Sequence, residues 1–116
     1  LSSLIYDAYM PLTEEERSQL VQEYRKALTP YPLNKSMDWS LFDSVLMRVG
    51  FQRVIKAAGS FASFYTRFQK STHLKYIEPA LSTGVSLAAA DSVCGQLAKE
   101  LNIQNWLDVV KQKKIE

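Results

Sequence analysis

The chain has 116 residues, 47% of them hydrophobic, with 14 basic and 12 acidic side chains. It is long enough for one modest packed domain and too apolar for a disordered one. Its net charge of +2 excludes a basic field for nucleic acid or an anionic membrane, and no apolar run nears the ~20 residues that span a bilayer.

The first residues read as the end of a helix already under way. Leu1, Leu4, Ile5 and Ala8 repeat at the i, i+3, i+4, i+7 spacing of one helical face, and no capping side chain precedes them. The expectation is a carboxy-terminal piece of a larger protein. Asp7 to Leu12 predicts a turn. Thr13 then caps a second helix, with Glu16 placed for a capping box and Glu14 to Glu16 suited to the positive end of the helix dipole. Leu20, Val21, Tyr24 and Leu28 form its buried stripe, and Pro30 and Pro32 end it.

Ser36 or Asp38 starts a long helix that runs from Trp39 to about Phe68 without a proline. Met47, Phe51, Val54, Ala58, Phe61, Ala62 and Tyr65 make one apolar ridge. Phe42, Leu46 and Val49 start a second, the pattern of a helix packed between neighbours. Gly50 and Gly59 each cost about 1 kcal/mol against alanine in a helix interior. Close approach of another helix accounts for them, as does a break near Gly59. Gln69 to His73 is a polar linker, and Pro79 fits the first turn of a fourth helix. That helix carries Leu81, Val85, Leu87, Ala88, Val93, Leu97 and Leu101, with a kink expected near Asp91 or Gly95 and an end at Asn102. A last helix spans Asn105 to Lys113 with Trp106, Val109 and Val110 inward, and 111–114 read as a frayed tail. No segment alternates like a strand. The fold class is therefore all-α, about five helices around one long central helix near residues 38–68.

Candidate chemistry is sparse. The glycines stand alone, so no phosphate-cradling loop exists. His73 has no ligand cluster near it in sequence and reads as a linker histidine. Cys94, the single cysteine, cannot form an internal disulfide, fits a reducing cytoplasmic setting, and reads as a buried, inert thiol. No metal site is expected. Trp39 and Trp106 suit core anchoring better than sugar stacking. One polar feature stands out: Arg48, Gln52, Lys56, Ser60, Ser63 and Arg67 share a face of the long helix. They read either as its solvated side or as the cationic wall of a groove for a carboxylate, phosphate or sugar. Arg53 lies nearer the apolar side and calls for an acidic partner, Asp7 or another acid of the opening segment, in a structural ion pair.

Three stretches together carry a resemblance. LSSLIYDAY from Leu1 to Tyr9, followed by LTEEER from Leu12 to Arg17 and a helix ending in YRKAL at Leu28, is similar to the DLASLLYDxY…LxxEERxxLLxYY segment of aminoglycoside-phosphotransferase-like kinases. GFQRVIKAAGSFA from Gly50 to Ala62 resembles the GLQRHLKVLGIFAR helix of that family's cell-wall sugar kinases, which phosphorylate N-acetylmuramate and N-acetylglucosamine at the anomeric carbon. YIEPAL from Tyr76 to Leu81 resembles their YLxDIPRVL link. Order and spacing agree. Val54 stands where those kinases have His, and Ser63 where they have Arg.

The resemblance implies the helical C-terminal part of a protein-kinase-like large lobe. The intact protein would use ATP and magnesium to phosphorylate a sugar or amino-sugar hydroxyl. The family's catalytic Asp, its Asn and its second, metal-binding Asp all precede the segment that matches Leu1. This chain has no His-x-Asp-x(4)-Asn run, so no catalytic residue and no cofactor is assigned to it, and alone it should be inactive. Arg48, Gln52 and Lys56 become the expected wall of the sugar cleft. Gln52 and Arg53 match the family's Gln-Arg pair, which either touches substrate or braces the fold. The implied partners are a sugar substrate and the missing kinase portion, or a second copy. The alternative is a self-standing helical interaction module.

Overall fold

The computed structural model describes residues 1–7, 9–10 and 12–115, with the side chains of 2, 3, 33 and 113–115 left aside. Ala8, expected in the opening stripe, lies outside the described residues. Every regular element among them is helical: α1 Ser2–Ile5, α2 Glu14–Leu28, α3 Leu33–Ser36, α4 Trp39–Phe68, a 3-10 turn Leu74–Tyr76, α5 Ile77–Ala90, α6 Ser92–Leu101 and α7 Ile103–Ile115.

Local chemistry sets these boundaries. Thr13 Oγ1 accepts the Glu16 N–H at 3.1 Å and Glu16 Oε1 accepts the Thr13 N–H at 3.0 Å, a complete capping box for α2. The Thr13 N–H bond, then its hydroxyl, holds the Glu16 carboxyl below its ordinary range. Asp38 caps α4 by accepting the Leu41 N–H at 3.1 Å. Gln69 closes α4 in the left-handed region at φ 56°, its N–H bonded to Tyr65 O at 2.8 Å. Asn102 closes α6 the same way at φ 57°.

α4 is the spine. α5 packs along it, and α6 and α7 fold back onto α5. The core joins Phe51, Val54, Ala58 and Phe61 of α4 to Ile77, Ala80, Leu81 and Leu87 of α5, with Cys94, Ile103 and Leu107 closing the far side. Gly50 is the notch where the chain's start enters. A Cβ there would stand 2.5 Å from two carbons of the Tyr6 ring. Close approach thus explains Gly50, the intruder being a ring and not a helix. Gly59 faces open space, and α4 passes through it unbroken.

Several expectations are corrected. The stripe expected to be buried on α2 is only half-buried at Leu20, Val21 and Leu28, and Tyr24 is exposed. The opening helix makes a single turn, so its stripe does not persist: Ile5 and Tyr6 are buried, while Leu1 and Leu4 are exposed. The expected kink in the fourth helix is a full break, because Asp91 adopts an extended conformation (φ −135°, ψ 131°) and starts α6 as its cap. α7 starts at Ile103, two residues earlier than expected. Its inward stripe is therefore Ile103, Leu107 and Val110, and Trp106 is 58% exposed with Val109 also outward. The backbone of α7 also continues to Ile115, where a frayed tail was expected.

Candidate functional site

Helical spacing places Leu41, Val45, Val49, Gln52, Lys56, Ser63 and Arg67 on the side of α4 away from the core. This outer face changes character along its length. Leu41 (59% exposed), Val45 (47%) and Val49 (36%) lie uncovered on the first turns. Beyond Gln52 the face is polar. Phe42, Leu46 and Met47 are half-buried on the other side of those same turns, so the first turns of α4 carry apolar side chains on two sides with only one of them covered.

The predicted polar row is split by its neighbours. Arg48 turns toward the α5–α6 break, where its Nε donates to Asp91 Oδ2 at 3.2 Å and its Nη2 to Asp91 Oδ1 at 3.4 Å. Asp91 is buried at 8% exposure and also accepts the Cys94 N–H at 3.0 Å. That backbone bond, then the Arg48 guanidinium, holds the Asp91 carboxyl below its ordinary value. Arg48 is thus committed to a fold contact. Gln52 and Lys56 are exposed on the outer face. Lys56 joins Ser60, Ser63 and Arg67 around a shallow depression of about 410 Å³ with Phe64 and Phe68.

The expected Arg53–Asp7 pair is not formed. Asp7 Oδ1 accepts the Tyr9 N–H at 2.8 Å, a bond within its own turn that orders fewer atoms than reaching across to α4. Arg53 is exposed and makes no ion pair among the described residues.

A second concavity, not foreseen from the sequence, lies on another side of α4. A cleft of about 350 Å³ separates α2 from α4 and α5. Its α2 wall carries Glu14, Arg17, Ser18, Gln22 and Arg25, with Val21 between them. Its floor is Leu46 and Met47 of α4 with Leu87 and Ala90 of α5, and Asp43 stands at the α4 edge. The arginines are held in place by aromatic rings. The Arg25 guanidinium carbon lies 4.5 Å from the Trp39 ring centre and that of Arg17 lies 5.4 Å from Tyr6. Arg17 Nη1 also donates to Leu12 O at 2.7 Å. Among the described residues neither guanidinium lies within ion-pair distance of a carboxylate. One signal could have found this wall: positions 14, 18, 22 and 25 are polar, and they border the same side as the stripe Leu20–Val21–Leu28.

His73 and Cys94 are packing groups. The His73 ring stacks on Phe61 at 5.6 Å and 8° and meets Phe64 edge-on at 5.1 Å. Burial pushes the Cys94 thiol up to about 11, with Asp91 adding to the effect. No group of three His, Cys, Asp or Glu among the described residues could hold a metal ion, and no helix among them is long and apolar enough to cross a membrane. Compared with known proteins, the chain matches no family model, no curated protein and no solved structure.

Proposed function

We propose that this chain is the helical C-terminal part of the large lobe of an ATP-dependent phosphotransferase acting on a sugar or amino-sugar hydroxyl. Its role there is to brace the lobe and to wall the acceptor cleft, with no activity of its own. The three motif resemblances are what suggest the family. The observation that carries the reading is the outer face of α4, where Leu41, Val45 and Val49 are exposed in succession. An apolar row of this kind on the central helix calls for a cover, and the rest of a two-lobed enzyme would supply one. ATP and magnesium would be held by residues outside this chain, and no reaction step is assigned to the residues in it.

The test is the mass of the native polypeptide in its source cells, probed with an antibody to this segment. A species about three times larger than 13.2 kDa that consumes ATP in a sugar-dependent way is the expected result. A native species of 13.2 kDa would overturn it, as would micromolar ATP binding by the chain alone. A helical interaction module would then be the better reading. What favours that second reading is an apolar groove of about 300 Å³ rimmed by Leu101, Trp106 and Val110.

A further inference from the structure

We propose that the cleft between α2 and α4 binds a small zwitterion with an apolar body, of the size and chemistry of a free hydrophobic amino acid. Its carboxylate sits on Arg25 and its ammonium on Asp43. This inference stands apart from the phosphotransferase reading.

The two walls differ in kind. α2 has no fully buried residue and lays only Leu20 and Val21 against the core. Its Glu14, Ser18, Gln22 and Arg25 are exposed and line the cleft, where they escape the cost of burying polar groups without partners. Opposite them stand Leu46, Met47 and Leu87. An apolar floor facing a few placed polar groups is the usual composition of a small-molecule site.

The charges narrow the ligand. Glu14 and Asp43 balance Arg17 and Arg25 around the cleft. A simple anion would meet Asp43, and a simple cation would meet Arg25; a molecule bearing both charges satisfies both. Arg25 and Asp43 sit on different helices. Trp39, the ring under Arg25, is one helical turn before Asp43 on α4. The Arg25 guanidinium carbon lies 4.5 Å from the Trp39 ring centre, a cation–π contact that uses the charge and not the N–H donors a carboxylate would take. Arg17 is already engaged, donating to Leu12 O and lying over Tyr6, so the cross-cleft pair is the better ligand station. The volume, about 350 Å³, is at the small end of ligand pockets, suited to an amino acid and too small for a dinucleotide.

The experiment is a two-dimensional NMR titration with L-phenylalanine, and with phenylacetate and phenethylamine as its single-charge halves. The indole signals of Trp39 and Trp106 are the reporters, since Trp106 lines a different groove. Saturable millimolar binding that moves Trp39 and not Trp106 is expected. Arg25→Gln and Asp43→Asn should each weaken it roughly tenfold, as should removal of either ligand charge. Both side chains are exposed, and circular dichroism would verify that the variants fold. The proposal is overturned by no saturation, by a response at Trp106 alone, by binding indifferent to both variants, or by Trp39 shifts that follow protein concentration without ligand. That last result would put a second copy in the cleft.

Discussion

Arg48 and Asp91, 43 residues apart, are joined by two hydrogen bonds between the middle of α4 and the break that separates α5 from α6. The same carboxylate caps α6 through the Cys94 N–H. One buried acid therefore serves two elements, and the helix break depends on its charge.

This gives a pH dependence with a definite sign. The folded state holds the Asp91 carboxyl below its ordinary 3.8, so folding favours the ionised form. The resulting stability is present above that value and is lost as pH falls through the lowered one. Urea unfolding should show a drop in midpoint below pH 3.8. Asp91→Asn should lower the midpoint at neutral pH and make the acid-side drop shallower, leaving the share that belongs to Glu16, also lowered in the folded state. An unchanged acid slope in the variant would mean that other carboxylates set it.

Two glycines in one helix should respond oppositely. Gly50→Ala places a methyl against the Tyr6 ring at 2.5 Å and should cost about 1–3 kcal/mol by overpacking. Adding Tyr6→Ala should make the Gly50→Ala change far less costly, a coupling measurable as a double-mutant cycle. Gly59→Ala meets nothing within 4 Å and should stabilise the chain by about 0.4–1 kcal/mol. Equal effects at the two sites would contradict the notch.

Cys94 has no exposed surface, and its thiol is raised from 9.0 to about 11. Folding thus keeps the proton on sulfur, and stability should decline as pH rises from about 9 toward 11. A disulfide reagent such as dithionitrobenzoate at pH 8 should modify Cys94 only as fast as the chain opens, and rapidly in urea. Fast labelling of the folded protein would show the thiol to be accessible.

The uncovered half of α4 gives a test of assembly. Replacing Leu41, Val45 and Val49 together with glutamine should change folding stability by no more than about 0.5 kcal/mol per site. It should also reduce any self-association seen by analytical ultracentrifugation. A large loss of stability would mean that the face is covered within the chain.

The sequence carried its local signals well and its distant pairings poorly. The capping box at Thr13–Glu16 and the span from Asp38 to Phe68 were legible because cap, period and the absence of proline all lie within neighbouring residues. The Arg48–Asp91 pair was not, since nothing local distinguishes Arg48 from Arg53 as the residue that finds an acid. A two-residue shift in where α7 begins moved Trp106 from inside to outside. The cleft beside α2 was missed because its wall residues look like an ordinary solvated face. Only the placement of Leu46, Met47 and Leu87 opposite them makes a site.

The length of α4 has its own consequence. Its 30 residues extend about 45 Å, most of the molecule's 53 Å long axis. All of its buried residues fall between Gly50 and Phe61, so the spine is anchored in the middle and held loosely at both ends. Amide hydrogen exchange along this one helix should therefore be graded. Its centre should exchange only on global unfolding, while the turns near Trp39 and Phe68 open and close independently of each other and of the core between them.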